Sequence, residues 1–235
     1  MVLPAKIFEV KGNGDLEYMV QMLRDFHEEE PLETEVEGVG NLVTEVFDVE
    51  QTEDYVAGIF SRDFVKGHYF RRKLVESPVT EEAPFWIKPF GGRVFLIVLA
   101  PSVARGVKKL LTNHVANKLS EVIFNKTGAI VEVKIPDETL RDLHESNPQA
   151  TKLIWFDDVD IPSVEKLCLA GSSLADTKLY HDYLDHGRIW YVVFEVQKRK
   201  IVVGITRNCV VTLFSKSTVD EFINYIFEDI LMLIK

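Results

Sequence analysis

The stretch RIWYVVFEVQKRKIVVGITRNCVVTLF, Arg188–Phe214, decides the fold class. It holds three runs rich in Val, Ile and aromatic residues, RIWYVVFEVQ, KIVVGITR and CVVTLF, separated by the short polar turns KR and RN. Runs of this kind with such short connections predict neighbouring antiparallel strands, because parallel neighbours need a crossover of a dozen residues or more. A terminal antiparallel meander places the chain in the α+β class, with mixed or antiparallel sheets and packed helices, and argues against a doubly wound parallel sheet.

Outward from that stretch, helix and strand signals alternate irregularly. After it, Ser217 with Asp220, or Thr218 with Glu221, offers a capping box for a C-terminal helix, TVDEFINYIFEDILMLIK, whose apolar residues cover much of its circumference. Such a helix packs on a sheet and leaves a spare face for a partner. Before the stretch, Ser172 or Ser173 opens a helix that Gly187 stops, with Leu179, Tyr183 and Leu184 as its buried stripe. Strands are expected at KLIWFDDV, VEKLCLAG, AIVEVKI and RVFLIVLA, the most apolar strand candidate in the chain, and a short helix at DETLRDLHES opened by Asp137. Ser102 is placed as the cap of a long helix to Asn125, with Val107, Leu111, Val115, Leu119 and Val122 on one face. At the start, AKIFEVKG forms a strand and Asp15 caps a helix to about residue 29, ended by Pro31. LVTEVFDV and DYVAGIFS form two strands. The interval 61–84, polar and holding Pro78 and Pro84, shows little periodicity and is expected to be a long loop. The organisation expected is an N-terminal part, residues 1–84, and a C-terminal part, residues 85–235.

Composition narrows function. The 235 residues are 46% hydrophobic and 27% charged, the balance of a soluble globular protein. No apolar run approaches the roughly 18–20 residues that span a bilayer. No secretory leader is visible, and Cys168 and Cys209 sit in apolar runs, so a cytoplasmic protein without membrane attachment is expected. A net charge of −10 disfavours broad nucleic-acid binding, yet the charge is unevenly spread. Residues 25–54 carry an acidic belt with no Lys or Arg, whereas RDFVKGHYFRRK, 62–73, reverses the sign.

That basic cluster supplies the candidate site. Lys66, Arg71, Arg72 and Lys73 stand among Tyr69 and Phe70, and cations grip phosphates while aromatic rings stack on bases. Arg105, Lys108 and Lys109 at the start of the long helix oppose its dipole and invite an anion, so they join the set. The alternative is that the cations answer the acidic belt within the same molecule. His114, Lys118 and Glu121 form a polar border on the long helix. The pairs His181–Asp185 and Asp182–His186 have helical spacing, and Asp157, Asp158 and Asp160 cluster in FDDVD; each set is chemically able to bind a metal, but as exposed polar groups they need no such role, and no metal or cofactor is expected. No Rossmann, P-loop or serine-elbow pattern is present, and no catalytic residue is assigned.

From Phe85 to about Gln197, the order FWIKPFGGRVFLIVLA, long helix, AIVEVKI, short helix, KLIWFDDVDIPSVEKLCLAG resembles the phage-exclusion and antiviral-defence proteins of the RexA and KwaB type. The resemblance implies a dimeric α+β protein that contacts DNA or other defence components. The expected function is therefore non-enzymatic nucleic-acid binding, DNA or RNA, as a homodimer or with a protein partner through the C-terminal helix. The alternatives are a regulatory interaction subunit and a metal-dependent nuclease or hydrolase.

Overall fold

A computed structural model describes residues 2–12, 14–31, 40–100 and 107–234, the side chains of residues 68 and 107–111 excepted. The chain divides into two compact units, one continuous, Phe8–Val131, and one split, Met1–Ile7 with Glu132–Lys235. Residue 84, where the sequence suggests a boundary, lies in the middle of a strand of the continuous unit.

In the continuous unit, Asp15 caps α1 (Leu16–Arg24) by accepting hydrogen bonds from the backbone N–H groups of Glu17 and Tyr18. Met19, Val20 and Leu23 turn to the core. The helix stops short of the predicted end. His27–Pro31 is instead strand β2, paired with β3 (Asn41–Gln51), Glu29 opposite Val43. Three consecutive glutamates at a helix C-terminus would oppose its dipole, whereas an edge strand keeps them in water and discourages further strands from pairing there.

The largest departure concerns the expected loop. Residues 61–84 belong to a long hairpin of β4 (Val56–Phe70) and β5 (Lys73–Phe90), paired without interruption from Val56–Ile87 to Phe70–Lys73. β3 pairs with β4 only as far as Arg62, and β6 (Arg93–Leu99) pairs with β5 only from Phe85 onward. Pro78 and Pro84 fall outside the β5–β6 register and Pro89 outside the β4–β5 register, so each can turn its missing N–H to an edge without a partner. The strand order of this unit is β2-β3-β4-β5-β6, followed by the Phe8–Val10 part of β1 (Leu3–Val10). Phe60, Phe85, Ile87, Leu96 and Val98 form the core with α1 and with Val115, Leu119 and Ile123 of α2 (Val107–Phe124), each worth about 1.5–3 kcal/mol when fully buried. Glu9, almost buried, accepts from Nε and Nη2 of Arg93 at 2.9 and 2.7 Å, with Lys11 at 2.7 Å; the Arg93 bonds above all hold its carboxyl down at about 2.

The split unit begins with Leu3–Ile7 of β1 and continues after the short β7 (Ile130–Glu132), which pairs with β1. It adds α3 (Asp137–Glu145), β8 (Thr151–Asp157), β9 (Leu167–Ala170), α4 (Lys178–His186), β10 (Arg188–Val196), β11 (Ile201–Thr206), β12 (Val210–Leu213) and α5 (Val219–Tyr225). Its order is β1-β12-β11-β10-β8-β9, with β10, β11 and β12 consecutive and antiparallel. Thr218 and Glu221 close the capping box of α5, the second of the two frames the sequence allows. The chain continues through a π-helical turn, Ile226–Ile230, and a tight turn, Leu231–Leu233. Here the expected spare face is absent. Phe222, Ile223, Tyr225, Ile226, Phe227, Ile230 and Leu231 are all buried, and the exposed side is Asp220, Glu221, Asn224 and Glu228, with Met232 the exception. Thr177, not Ser172 or Ser173, caps α4, and Tyr180, not Leu179, enters the core against His144 and Phe156. Among the described residues no helix is long and apolar enough to cross a membrane.

Candidate nucleic-acid interface

Past Arg62 and Glu81, the β4–β5 hairpin continues for eight rungs, from Asp63–Thr80 to Phe70–Lys73, with no third strand paired to it among the described residues. At about 3.4 Å per residue this two-stranded ribbon extends about 27 Å. Residues directly opposite in an antiparallel pair share a face, and successive residues alternate between faces. One face therefore carries Arg62, Phe64, Lys66, Phe70 and Lys73 with Val75, Val79 and Glu81, and the other carries Asp63, Val65, Tyr69, Leu74, Glu76 and Glu82. Cations gather on the first face and, Glu81 apart, acids on the second.

Arg71 and Arg72 form the turn itself, with φ of 47° and 67°. Two positive φ values are what a two-residue type I′ turn requires, a place suited to Asn-Gly; two arginines there are strained. The tip is open. Tyr69 is 80% exposed, Phe70 59% and Leu74 60%, and the Arg71 guanidinium lies 5.3 Å from the Phe70 ring centre.

The cations predicted from sequence divide sharply. Lys66 is ion-paired with Glu81, a buried carboxylate, and is itself partly exposed. Arg71, Arg72 and Lys73 are exposed and have no ion-pair partner among the described residues. Arg105 lies outside the described residues, as do the side chains of Lys108 and Lys109, which belong to α2. The acidic belt does find internal partners, but other ones: Glu28 pairs with Lys118 at 2.5 Å, Glu30 with Arg62 at 3.6 Å and Asp54 with Lys88 at 3.7 Å. Arg62 also donates to the ring of His114, whose pKa is lowered by burial and then by the Arg62 charge. Sequence reasoning missed the turn; its signal was the pair of β-forming couples Ile59–Phe60 and Phe64–Val65 leading into the basic cluster.

The other clusters stay dispersed. His181, Asp182, Asp185 and His186 are exposed, and His186 bonds Asp160 at 2.8 Å. Arg207 holds Asp157 at 2.8 Å and Asp158 at 3.4 Å. Among the described residues no three His, Cys, Asp or Glu side chains are placed to hold a metal ion.

No family model matches this chain, and no curated protein matches it either. Among solved structures, DynU16, a protein of the dynemicin biosynthetic locus, aligns at 11% identity over 93% of this chain and 90% of its own, with a TM-score of 0.23. An overlap that low carries no statement about fold or function.

Proposed function

We propose that this chain is a nucleic-acid-binding protein that works through the tip of its β4–β5 ribbon, with Arg71, Arg72 and Lys73 on phosphates and Tyr69 and Phe70 against sugars or bases. One observation carries the reading: three cations without an ion-pair partner among the described residues stand in and beside a strained, solvent-exposed turn flanked by exposed aromatic rings. A strained turn that keeps arginine where glycine would fit at lower cost is using the charge. A two-stranded ribbon also fits the B-form major groove, about 12 Å wide. Lys66, satisfied by Glu81, is left out of the contact set. The layout resemblance to RexA- and KwaB-type proteins extends the reading to defence against mobile elements, for which phage plating with and without the gene is the direct test.

The biochemical test is a salt titration against single- and double-stranded DNA and RNA. Three phosphate contacts predict a slope of log K against log salt of about −2.7 for duplex and about −2 for single strands. The double substitution Arg71→Asn with Arg72→Gly relaxes the turn while removing two charges. Binding should fall and the slope should flatten to that of one contact. Unchanged affinity in this variant, or no binding of the wild type at low salt, overturns the proposal.

A further inference from the structure

The sheet of the split unit has two unequal faces. On one, Ile154, Phe156, Val192, Val203, Ile205, Val211 and Leu213 are all buried. The opposite face is also largely uncharged, with apolar residues among small and hydroxyl-bearing ones, but is only partly covered. One row crosses it as Cys168, Trp155, Tyr191 and Thr206, each opposite the next, and a second as Ala170, Leu153, Val193, Gly204 and Thr212. Apart from the close-packed Gly204, these residues are half-buried or exposed, as are Val202 and Phe214 in the row beyond. Tyr191 lies flat across Gly204, where an added Cβ would meet its hydroxyl at 2.2 Å, so the surface is level and not ridged. Between β9 and β12 neither central row contains a carboxylate, Lys or Arg; charges stand at the borders as ion pairs, Lys6 on β1 with Glu132, Asp157 with Arg207 at 2.8 Å and Glu195 with Lys152 at 3.6 Å.

We infer that this face is the contact between two copies of the chain. A level apolar sheet face is matched by a second sheet stacked about 10 Å away, its strands turned by about 30°. Five strands about 4.8 Å apart, carrying three rows of side chains, present about 500 Å² per copy, and the pair reaches the about 1,000 Å² that a specific interface needs. A chain of net charge −10 repels its own copy over most of its surface, and a face with uncharged central rows is where that repulsion is weakest. The same face on both partners also satisfies the self-complementarity that two-fold symmetry requires. The C-terminal helix, with a polar outer side, does not offer this.

Light scattering on the full chain after size exclusion tests it. Wild type should run at twice 26.9 kDa and fall toward the single-chain mass over about a hundredfold dilution. Val193→Arg at the centre and Cys168→Arg on the exposed outer strand should each give single chains with an unchanged circular dichroism spectrum. Met232→Arg, on the C-terminal segment, should leave the pair intact. A wild type that stays at 26.9 kDa at every concentration, a pair that survives Cys168→Arg, or a pair dissolved by Met232→Arg alone overturns the inference.

Discussion

His144 shows how one residue carries a pH response that its position in the sequence hides. It is fully buried in α3, its Nδ1 is bonded to the Thr151 hydroxyl at 2.8 Å, and Nε2 has no partner among the described residues. The Tyr180 ring stands 4.9 Å away, edge on, with its own hydroxyl donating to Glu145. Burial lowers the imidazole pKa, so the folded chain keeps the ring neutral where the unfolded chain, titrating near 6.5, takes up a proton. Stability from this site is present above pH 6.5 and is lost as the pH falls below it. Urea midpoints measured on descending from about pH 7 to pH 5 should drop in the wild type and drop less in His144→Phe. Part of the slope should persist in the variant, because the pKa of His114 is lowered in the same direction, by burial and by Arg62. In the sequence, His144 was one of several scattered histidines. Nothing in a helix of the pattern DETLRDLHE marks which polar residue faces inward until Thr151 and Tyr180 have been brought to it.

At the scale of elements, the sequence was most legible where propensity and pattern agreed. The β10–β12 meander, the apolar β6 and the Asp15 cap follow from local chemistry alone, whereas the capping box of α5 was legible only as two frames, of which Thr218–Glu221 forms. It was least legible where prolines interrupt a strand, since Pro78 and Pro84 suggest a loop unless the neighbouring strand is known to be missing at those rungs. The candidate site suffered the same loss. Its residues were visible as a composition, but the turn that presents Arg71 and Arg72 and the pairing that removes Lys66 are properties of the hairpin register. The root of that hairpin is tightly fitted. Gly58 lies opposite Phe85, and a Cβ there would sit 2.8 Å from the Phe85 ring, which is fully buried and has no room to retreat. Gly58→Ala should therefore destabilise the continuous unit by about 1–3 kcal/mol, read as a lower urea midpoint at unchanged m-value.

At the scale of the whole molecule, sequence position is a poor guide to organisation. A division near residue 84 looks reasonable along the chain, yet β5 runs through it, and the N-terminal seven residues join a unit whose remainder begins at Glu132. Separation of that kind depends on long-range strand pairing, which leaves no local trace. Net charge misleads in a similar way. The value of −10 describes the average, whereas the acids of the belt are partly neutralised by Arg62, Lys88 and Lys118 and the cations of the turn are not. The isolated ribbon has one further consequence. Among the described residues no strand pairs with its outer edges over eight rungs, and its end is a run of three basic residues that trypsin cleaves. Brief digestion should cut first at Arg71, Arg72 or Lys73, giving two peptides that separate on a denaturing gel but travel together under native conditions, because both stay paired at the hairpin root from Val56 to Arg62.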